Sequence, residues 1–362
     1  MRIGDYIARQ TKSLEARKEQ IKDFQVFDFS YMPDEPLMRR EAEPLIDACL
    51  RYLTTGISNH LFLFGSRGSG KTLITRHVGR LLESEHGAVV RYANCRQHNT
   101  SFKLLAYLLG VKPRGVGLDE LWLRFCEVHD TPVILILDEV DLLSDKDRNK
   151  DLLYLLGRSP IRPMVILLSN QPRFLSRLDE SIRSSLQPEL VHFRNYDAIE
   201  IQRILESRAR DGLYRASGRL IREIAALTAR LTNSDVRVAI KTLYHAAIEP
   251  EQELRALFDR ARHDLVADVL ADLNDRALLI IKAVGAGRES FVKDVYTRYR
   301  RLSRTHGEEP FSYPYFYANL SYLQSIGLIM LVATKVRRAY TNRVQPLFES
   351  QMLDAAWARR FG

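Results

Sequence analysis

The stretch Gly65-Ser66-Arg67-Gly68-Ser69-Gly70-Lys71-Thr72 (GSRGSGKT) decides the fold, because it fits the phosphate-loop pattern G-x-x-x-x-G-K-[ST] at every defined position. It directly follows the apolar run Leu61–Phe64 and opens an amphipathic segment. Glycines let backbone N–H groups approach phosphate oxygens, and the helix N-terminus favours an anion. In this pattern Lys71 neutralises the β- and γ-phosphates and Thr72 binds Mg²⁺. We therefore predict that residues from Gly65 to Leu73 bind a nucleotide.

Outward from this loop, residues 58–195 alternate short apolar runs with longer amphipathic stretches. After Leu61–Phe64 the runs are Val89–Ala93, Val133–Leu137 and Val165–Leu168. They lack polar alternation, which is typical of strands buried on both faces of a parallel sheet. Helical patterns over 71–84 and 118–129 separate them. The alternation predicts a doubly wound α/β domain.

Polar side chains follow the last two of these runs. Asp138 and Glu139 close the third run, where a carboxylate lies beside the phosphate loop in such sheets. Asp138 can then hold Mg²⁺, directly or through water, and Glu139 can act as general base on the attacking water. Asn170 follows the fourth run and can hold a water or contact the γ-phosphate, although Asn is also a common turn former there. With Lys71, these three residues form the predicted catalytic group; we interpret Asp141 as a surface or capping acid.

After residue 198 the apolar runs stop, and helical patterns cover 198–213, 218–231, 234–249 and 250–273. This is predicted to be a small all-helical unit. Arg237 lies at the start of its third helix. If the unit folds over the nucleotide, Arg237 can reach the γ-phosphate; taken alone, it would be interpreted as an ordinary exposed arginine.

The C-terminal segment has a different order of predicted helices and strands. Three helical patterns, over 275–284, 290–304 and 312–326, precede two extended runs over 328–334 and 336–344. Ser312 is the predicted N-cap of the third helix, and Pro314 fits its first turn. Three helices followed by a hairpin predict a winged helix, a variant of helix-turn-helix. In the third helix a buried stripe is predicted for Phe316, Leu320, Leu323 and Ile326.

We accordingly divide the chain into three parts. Residues 1–197 form an N-terminal arm and an α/β nucleotide-binding domain, residues 198–273 a helical lid, and residues 274–362 a winged-helix domain.

Positive charge is concentrated in the winged-helix region. The chain has 54 basic and 45 acidic residues, a net charge of +9, and 14 basic but only 7 acidic residues lie from Asp275 to Gly362. Such asymmetry fits a polyanion partner, although a solvated basic surface accounts for the charge equally well. A winged helix inserts its third helix into the major groove and reaches the backbone or minor groove with its hairpin. DNA contact is therefore predicted for Tyr315, Asn319, Lys335, Arg337 and Arg338, with packing or solvent exposure as the alternative.

The amino-acid composition excludes several classes of protein. Hydrophobic residues make up 46% and charged residues 27%, which is ordinary for a globular chain. No run approaches the ~18 apolar residues of a membrane span, and the first twenty residues lack an apolar signal core. The three cysteines, Cys49, Cys95 and Cys126, form no CxxC pair, so neither a disulfide framework nor a metal site is predicted. We expect a cytoplasmic protein without membrane association.

The chain resembles an AAA+ ATPase, because four features follow one another in the order typical of that class. They are the phosphate loop, the acidic strand end, the polar strand end and the helical lid with an arginine. With the winged helix, the chain resembles the archaeal initiator family related to the origin recognition complex and the cell-division-cycle helicase loader. The segment from Tyr31 to Glu41 resembles the one that borders adenine in that family. Asn94-Cys95-Arg96 followed by residues 100–117 resembles the initiator-specific insertion.

This resemblance implies further site residues and partners. It places Arg39 and Tyr196 in the nucleotide site and gives Lys112 and Arg114 a DNA contact. It implies ATP or ADP with Mg²⁺ as cofactors and a nucleoid-associated protein. The implied partners are double-stranded DNA of a replication origin, the replicative helicase and other initiator paralogues.

One position departs from the family pattern. The family's stretch after the sensor strand often carries Ser-Arg-Leu, whose arginine acts on a neighbouring subunit's nucleotide, but Ser185 stands at that position here. An arginine finger is worth about 10³–10⁵ in rate. We therefore expect slow hydrolysis, unless Arg183 or Arg177 takes the role.

The leading hypothesis is an ATP-dependent initiator that binds origin DNA and helps to load the helicase, with switch-like hydrolysis. A nucleotide-gated regulator whose winged helix binds protein is the alternative, since Tyr-rich faces suit protein docking. The positive charge argues against this regulator. A motor ATPase needs brisk hydrolysis in a closed ring, and Ser185 argues against it.

Overall fold

The computed structural model describes residue 4 and residues 20–112, 114–129, 132–144, 147, 150–271, 273–285, 290–336 and 339–361, with the backbone alone at 335, 336 and 339–341. The chain divides into two compact units. One comprises residues 34–194, and the other comprises residues 195–362 with the segment before residue 34. Within the described ranges, no helix is long and apolar enough to cross a membrane.

The unit of residues 34–194 contains a parallel five-stranded sheet of β1 (Leu61–Phe64), β2 (Val89–Asn94), β3 (Val133–Asp138), β4 (Met164–Ser169) and β5 (Glu189–His192). This unit arranges the strands in the order β2-β3-β4-β1-β5. Its helices are α1 (Ala42–Thr55), α2 (Lys71–His86), α3 (Ser101–Leu108), α4 (Leu118–Val128), α5 (Asp151–Gly157) and α6 (Glu180–Leu186). The predicted α/β sheet is confirmed, and its four predicted strands end within a residue or two of the observed ones.

Apolar clusters cover both faces of the sheet. On one face, Leu63 and Ile136 pack with Leu45 of α1 and Ile74 of α2. On the other face, α3, α4, α5 and α6 pack against side chains of β1, β3 and β4. The central strands β3 and β4 are fully buried, which explains their unbroken apolar runs. The expectation of burial on both faces is wrong for β2, because this edge strand is mostly half-buried.

The helical part of the second unit contains α7 (Ala198–Gly212), α8 (Gly218–Leu231), α9 (Val236–Ile248) and α10 (Leu254–Ala271). A capping box between Asp197 and Glu200 begins α7, which satisfies backbone donors at the helix start. The last predicted helix was expected from residue 250, but α10 begins at Leu254. Residues 20–33 pack in the same unit, where the buried Arg208 donates to the carbonyl oxygens of Val26 and Tyr31.

The remaining part of this unit is a winged helix. It contains α11 (Asp275–Val284), β6 (Ser290–Phe291), α12 (Val292–Thr305), α13 (Tyr313–Ser325), β7 (Ile329–Val336), β8 (Ala339–Pro346) and α14 (Ser350–Phe361). The strands form an antiparallel sheet in the order β6-β8-β7. The three helices and the hairpin are as predicted, and the stripe from Phe316 to Ile326 is buried.

Three details of the winged helix differ from the prediction. Ser290 and Phe291 form β6 instead of the start of a helix, because they pair with Val344 and Arg343 of β8. Ser312 holds the N-cap position, but its side chain makes no capping hydrogen bond. The C-terminal helix α14 was not predicted.

Candidate functional site

The phosphate-loop pattern forms the turn between β1 and α2. Gly68 and Gly70 have φ angles of 76° and 85°, which only glycine adopts without strain. At Gly65 an added Cβ would lie 2.2 Å from the carbonyl oxygen of Phe193. The glycines of the pattern therefore allow the backbone to turn tightly at the N-terminus of α2.

The side chain of Lys71 makes hydrogen bonds to the backbone of this turn. Its buried ammonium lies 2.9 Å from the carbonyl oxygens of Gly65 and Ser66 and 3.3 Å from Ser69 Oγ. It also donates to Asn170 Oδ1 at 3.2 Å. A positive charge thus stands within the loop, and it joins the loop to the end of β4. These are two of the predicted catalytic residues.

Thr72 and Asp138 meet at the start of α2. Thr72 Oγ1 donates to Asp138 Oδ2 at 2.9 Å, and the Glu139 N–H donates to Asp138 Oδ1 at 2.8 Å. Asp138 is 4% exposed, and this burial raises the pKa of its carboxyl group against the opposing effect of its hydrogen bonds. A hydroxyl and a carboxylate are the oxygen ligands that Mg²⁺ prefers, so the pair fits this ion.

Glu139 lies at the end of β3 with a backbone φ of 53°. A non-glycine residue in this left-handed region is uncommon, and such strain clusters at functional sites. Its Oε2 accepts a hydrogen bond from Asn94 Nδ2 at 3.2 Å. Burial, and next the charge of Asp138, raise the pKa of Glu139, so this carboxyl group is more basic than an exposed one.

Two residues of this cluster were not predicted from the sequence, and a third, Asp141, was named without a place in it. Tyr92 and Asn94 lie on β2, and their side chains donate to Asp138 and Glu139. Asp141, predicted to be a surface or capping acid, is half-buried and caps the end of β4, because its Oδ1 accepts from Ser169 Oγ at 2.7 Å and from the Asn170 N–H at 3.1 Å. Polar residues near the carboxyl end of β2 were a signal that could have found the first two.

Arg39 makes hydrogen bonds to the backbone of the phosphate loop and of the segment after β5. Its buried guanidinium donates 3.0 Å hydrogen bonds to the carbonyl oxygens of Ser69 and Arg194, and it pairs with Glu41 at 3.4 Å. The structure thus brings Arg39 to the backbone of the predicted site. The implied contact with the nucleotide itself stays a prediction.

Two predicted nucleotide residues belong to the other unit. Tyr196 is buried there. Arg237, on α9, donates through Nε to Asp235 Oδ1 at 2.9 Å and through Nη2 to Asp235 Oδ2. Their contribution to the site stays a prediction.

The predicted DNA residues have different surroundings. Tyr315 is exposed on α13, whereas Asn319 is half-buried and donates to the Tyr315 carbonyl at 2.9 Å. Lys112 and Arg114 are exposed after α3. Lys335 belongs to β7, but its side chain lies outside the described part, as do Arg337 and Arg338 altogether.

At the position of the family arginine, Ser185 Oγ donates to the Ile182 carbonyl at 2.9 Å. Arg177 and Arg183 are both exposed. An added Cβ at Gly157 of α5 would lie 2.7 Å from Ser185 Oγ. Position 185 is therefore part of a close contact between α5 and α6.

The chain is similar in sequence and fold to known proteins. An AAA domain model matches residues 57–178, which span β1 to β4 and the loop. The ORC1-type DNA replication protein 1 of Methanosarcina acetivorans is 30% identical over 324 residues, covering 79% of this chain and 77% of that protein. The chain belongs to the ORC1-type DNA replication protein family. A family member from Pyrococcus furiosus is 28% identical and covers 92% of this chain and 88% of its own length.

Solved structures agree with this membership. The Aeropyrum pernix ORC1 protein in complex with DNA aligns with a TM-score of 0.64 and 25% identity, covering 94% of this chain and 97% of that chain. Cdc6p from Pyrobaculum aerophilum has a TM-score of 0.57 at 20% identity, covering 95% and 100%, which shows the shared fold. The predicted AAA+ fold with a winged helix and the predicted replication-initiator family are confirmed.

Proposed function

We propose that the protein is an ATP-dependent replication initiator. It binds ATP or ADP with Mg²⁺, hydrolyses ATP slowly, binds double-stranded origin DNA and helps to load the replicative helicase, together with initiator paralogues. The proposal is carried by the cluster in which Lys71 contacts Asn170 while Thr72 contacts Asp138. This cluster stands in an AAA domain of a chain that also has a winged helix.

The residues of the cluster have separable roles. Lys71 faces the phosphates with its ammonium, and the loop N–H groups bind their oxygens. Thr72 and Asp138 would hold Mg²⁺, which when bound supplies charge to the β- and γ-phosphates. Glu139 accepts the proton of the attacking water, and Asn170 orients that water or contacts the γ-phosphate. Arg237 reports on the γ-phosphate from the lid.

Slow turnover is supported by position 185. A serine there cannot stabilise charge on a neighbouring subunit's nucleotide as arginine does, and that arginine is worth about 10³–10⁵ in rate. A nucleotide state that persists is suited to a switch. A test is single-turnover hydrolysis over a range of protein concentrations, where strong acceleration would contradict the proposal.

DNA binding is supported by the winged helix and by charge. α13 exposes Tyr315, and the exposed arginines of α12 are Arg300, Arg301 and Arg304. The Aeropyrum pernix relative, which aligns over nearly its whole length, was solved in complex with DNA. Basic residues in a wing suit contact with phosphates.

The deciding experiment measures binding to origin and random duplexes by fluorescence polarisation at several salt concentrations. We expect tighter origin binding and a log–log salt slope of about −0.9 for each neutralised phosphate. Arg337→Ala with Arg338→Ala should reduce this slope by about 2 and leave nucleotide affinity unchanged. Arg219→Ala, on an exposed face of α8, is the matched control. Equal affinity for both duplexes at every salt concentration contradicts an initiator.

One observation favours the alternative regulator. Tyr313 and Tyr315 expose aromatic surface on α13, and tyrosine is enriched in protein interfaces. A gel-shift titration in which no duplex is retarded would favour this regulator over the initiator.

A further inference from the structure

The carboxylate of Asp138 receives a third side-chain or backbone donor besides Thr72 and the Glu139 N–H. Tyr92 donates its hydroxyl to Asp138 Oδ2 at 2.8 Å, the same oxygen that Thr72 Oγ1 contacts at 2.9 Å. Tyr92 reaches it from β2, where it pairs in register with Ile136 of β3. The two hydroxyls therefore converge on one oxygen from α2 and from β2.

The number of acceptor sites on the Asp138 carboxylate shows what the two converging hydroxyls do. A carboxylate has about four lone-pair sites, two on each oxygen. Thr72 and Tyr92 use both sites of Oδ2, and the Glu139 N–H uses one site of Oδ1. Among these contacts, one site of Oδ1 is left for a further partner. The carboxylate thus has a defined orientation, because turning it would break the hydrogen bond with Tyr92.

Tyr92 is itself held in place. The Arg76 guanidinium lies over its ring, 5.0 Å from the centroid, and Arg76 is one helical turn after Thr72 on α2. A guanidinium over an aromatic face is attractive. The ring is therefore fixed by the same helix that carries the other hydroxyl.

We propose that Tyr92 is a positioning residue for Mg²⁺ binding with nucleotide. By filling the second site of Oδ2, it keeps the Asp138 carboxylate turned so that Thr72 donates its hydrogen there. The lone pairs of Thr72 Oγ1 then remain for the metal. The inference rests on the proposed function, because it concerns how Mg²⁺ is held at the proposed site.

The test compares Tyr92→Phe with Tyr52→Phe. Tyr52 is a matched control because it is another tyrosine of this unit whose hydroxyl is hydrogen-bonded, accepting from Val133 N and donating to the Arg162 carbonyl, away from Asp138. A fluorescent ADP is titrated into each variant in EDTA and then at increasing Mg²⁺. A hydrogen bond to a charged group is worth on the order of tenfold in an equilibrium constant. We expect Tyr92→Phe to raise the half-saturating Mg²⁺ concentration about tenfold and to leave the affinity in EDTA unchanged.

Tyr52→Phe should lower the urea midpoint and leave the Mg²⁺ dependence unchanged. The Tyr92 hydroxyl also withdraws negative charge from the Asp138 carboxylate, and by this effect alone its removal would tighten Mg²⁺ binding. Unchanged or tighter Mg²⁺ binding in Tyr92→Phe therefore overturns the inference. An equal shift in Tyr52→Phe overturns it as well. If Tyr92→Phe does not fold, Arg76→Gln serves as the second variant, because it removes the guanidinium from the Tyr92 ring. We expect it to raise the half-saturating Mg²⁺ concentration about threefold. An unchanged Mg²⁺ concentration in this variant would contradict the inference. If the unmodified protein binds no nucleotide, the proposed function fails instead.

Discussion

Replacement of Arg39 by alanine tests whether this residue acts mainly as a support of the phosphate loop. Its guanidinium is buried and joins three separate segments through the Ser69 carbonyl, the Arg194 carbonyl and the Glu41 carboxylate. Arg39→Ala removes these donors. Among the described contacts, Glu41 would then keep the Arg194 backbone N–H at 3.4 Å and the Arg194 side chain, which is 69% exposed.

The magnitude follows from the burial of Glu41, which is 9% exposed. Removing one partner of a buried ion pair costs about 3–5 kcal/mol, because a buried charge is left uncompensated. Arg194 compensates little, since exposed pairs contribute about 0–1 kcal/mol. We expect the free energy of unfolding to fall by about 3 kcal/mol, or roughly 6–12 °C in the melting temperature of a domain of this size.

Urea unfolding with a double-mutant cycle measures the effect. Glu41→Gln removes the uncompensated charge, so the double variant should be less destabilised than the sum of the single variants. Arg40→Ala is the control, because Arg40 is an exposed neighbour and its loss should cost less than about 0.5 kcal/mol. If Arg39→Ala is as stable as Arg40→Ala while nucleotide affinity falls, Arg39 is a nucleotide ligand and the reasoning is refuted.

Three further predictions follow from the same unit. Lys71→Ala should weaken nucleotide binding on the order of 100-fold in a fluorescence titration, because charged hydrogen bonds are lost. Glu139→Gln should retain that affinity but slow single-turnover hydrolysis about 10²–10⁴-fold; equal loss of both would contradict a general base. Burial lowers the pKa of His60 to about 4, so the unfolded chain binds the proton first and about 3 kcal/mol of stability is lost as pH falls from 6.5 to 4. His60→Asn should flatten this loss in urea titrations, whereas the exposed His192→Asn should not.

The sequence was sufficient where local pattern and burial agree. Gly68 and Gly70 of the phosphate loop are required by their positive φ angles, a constraint that acts within one turn. β3 and β4 are buried on both faces, so their apolar runs were unambiguous. The stripe from Phe316 to Ile326 has helical spacing and forms part of the core of the winged helix.

The sequence was insufficient where structure depends on distant partners. β5 buries only Val191, so its four residues carry no strand pattern of their own, and β6 exists because β8 pairs with it. Tyr92 and Asn94 lie on a half-buried edge strand, where a polar side chain is ordinary. Their place near the carboxyl end of β2 makes them candidates, but it takes the register with β3 to show that they meet Asp138 and Glu139.

The serine at position 185 shows how backbone packing and chemistry are coupled. An added Cβ at Gly157 would lie 2.9 Å from both the Cβ and the carbonyl carbon of Ser185, so α5 and α6 pack there with almost no side chain between them. Arg183, two residues away, points to roughly the opposite side of the helix and is exposed. If hydrolysis is stimulated between subunits, Arg177 or Arg183 must take the role, because the serine at position 185 carries no positive charge. Slow turnover is the expected result where neither does so.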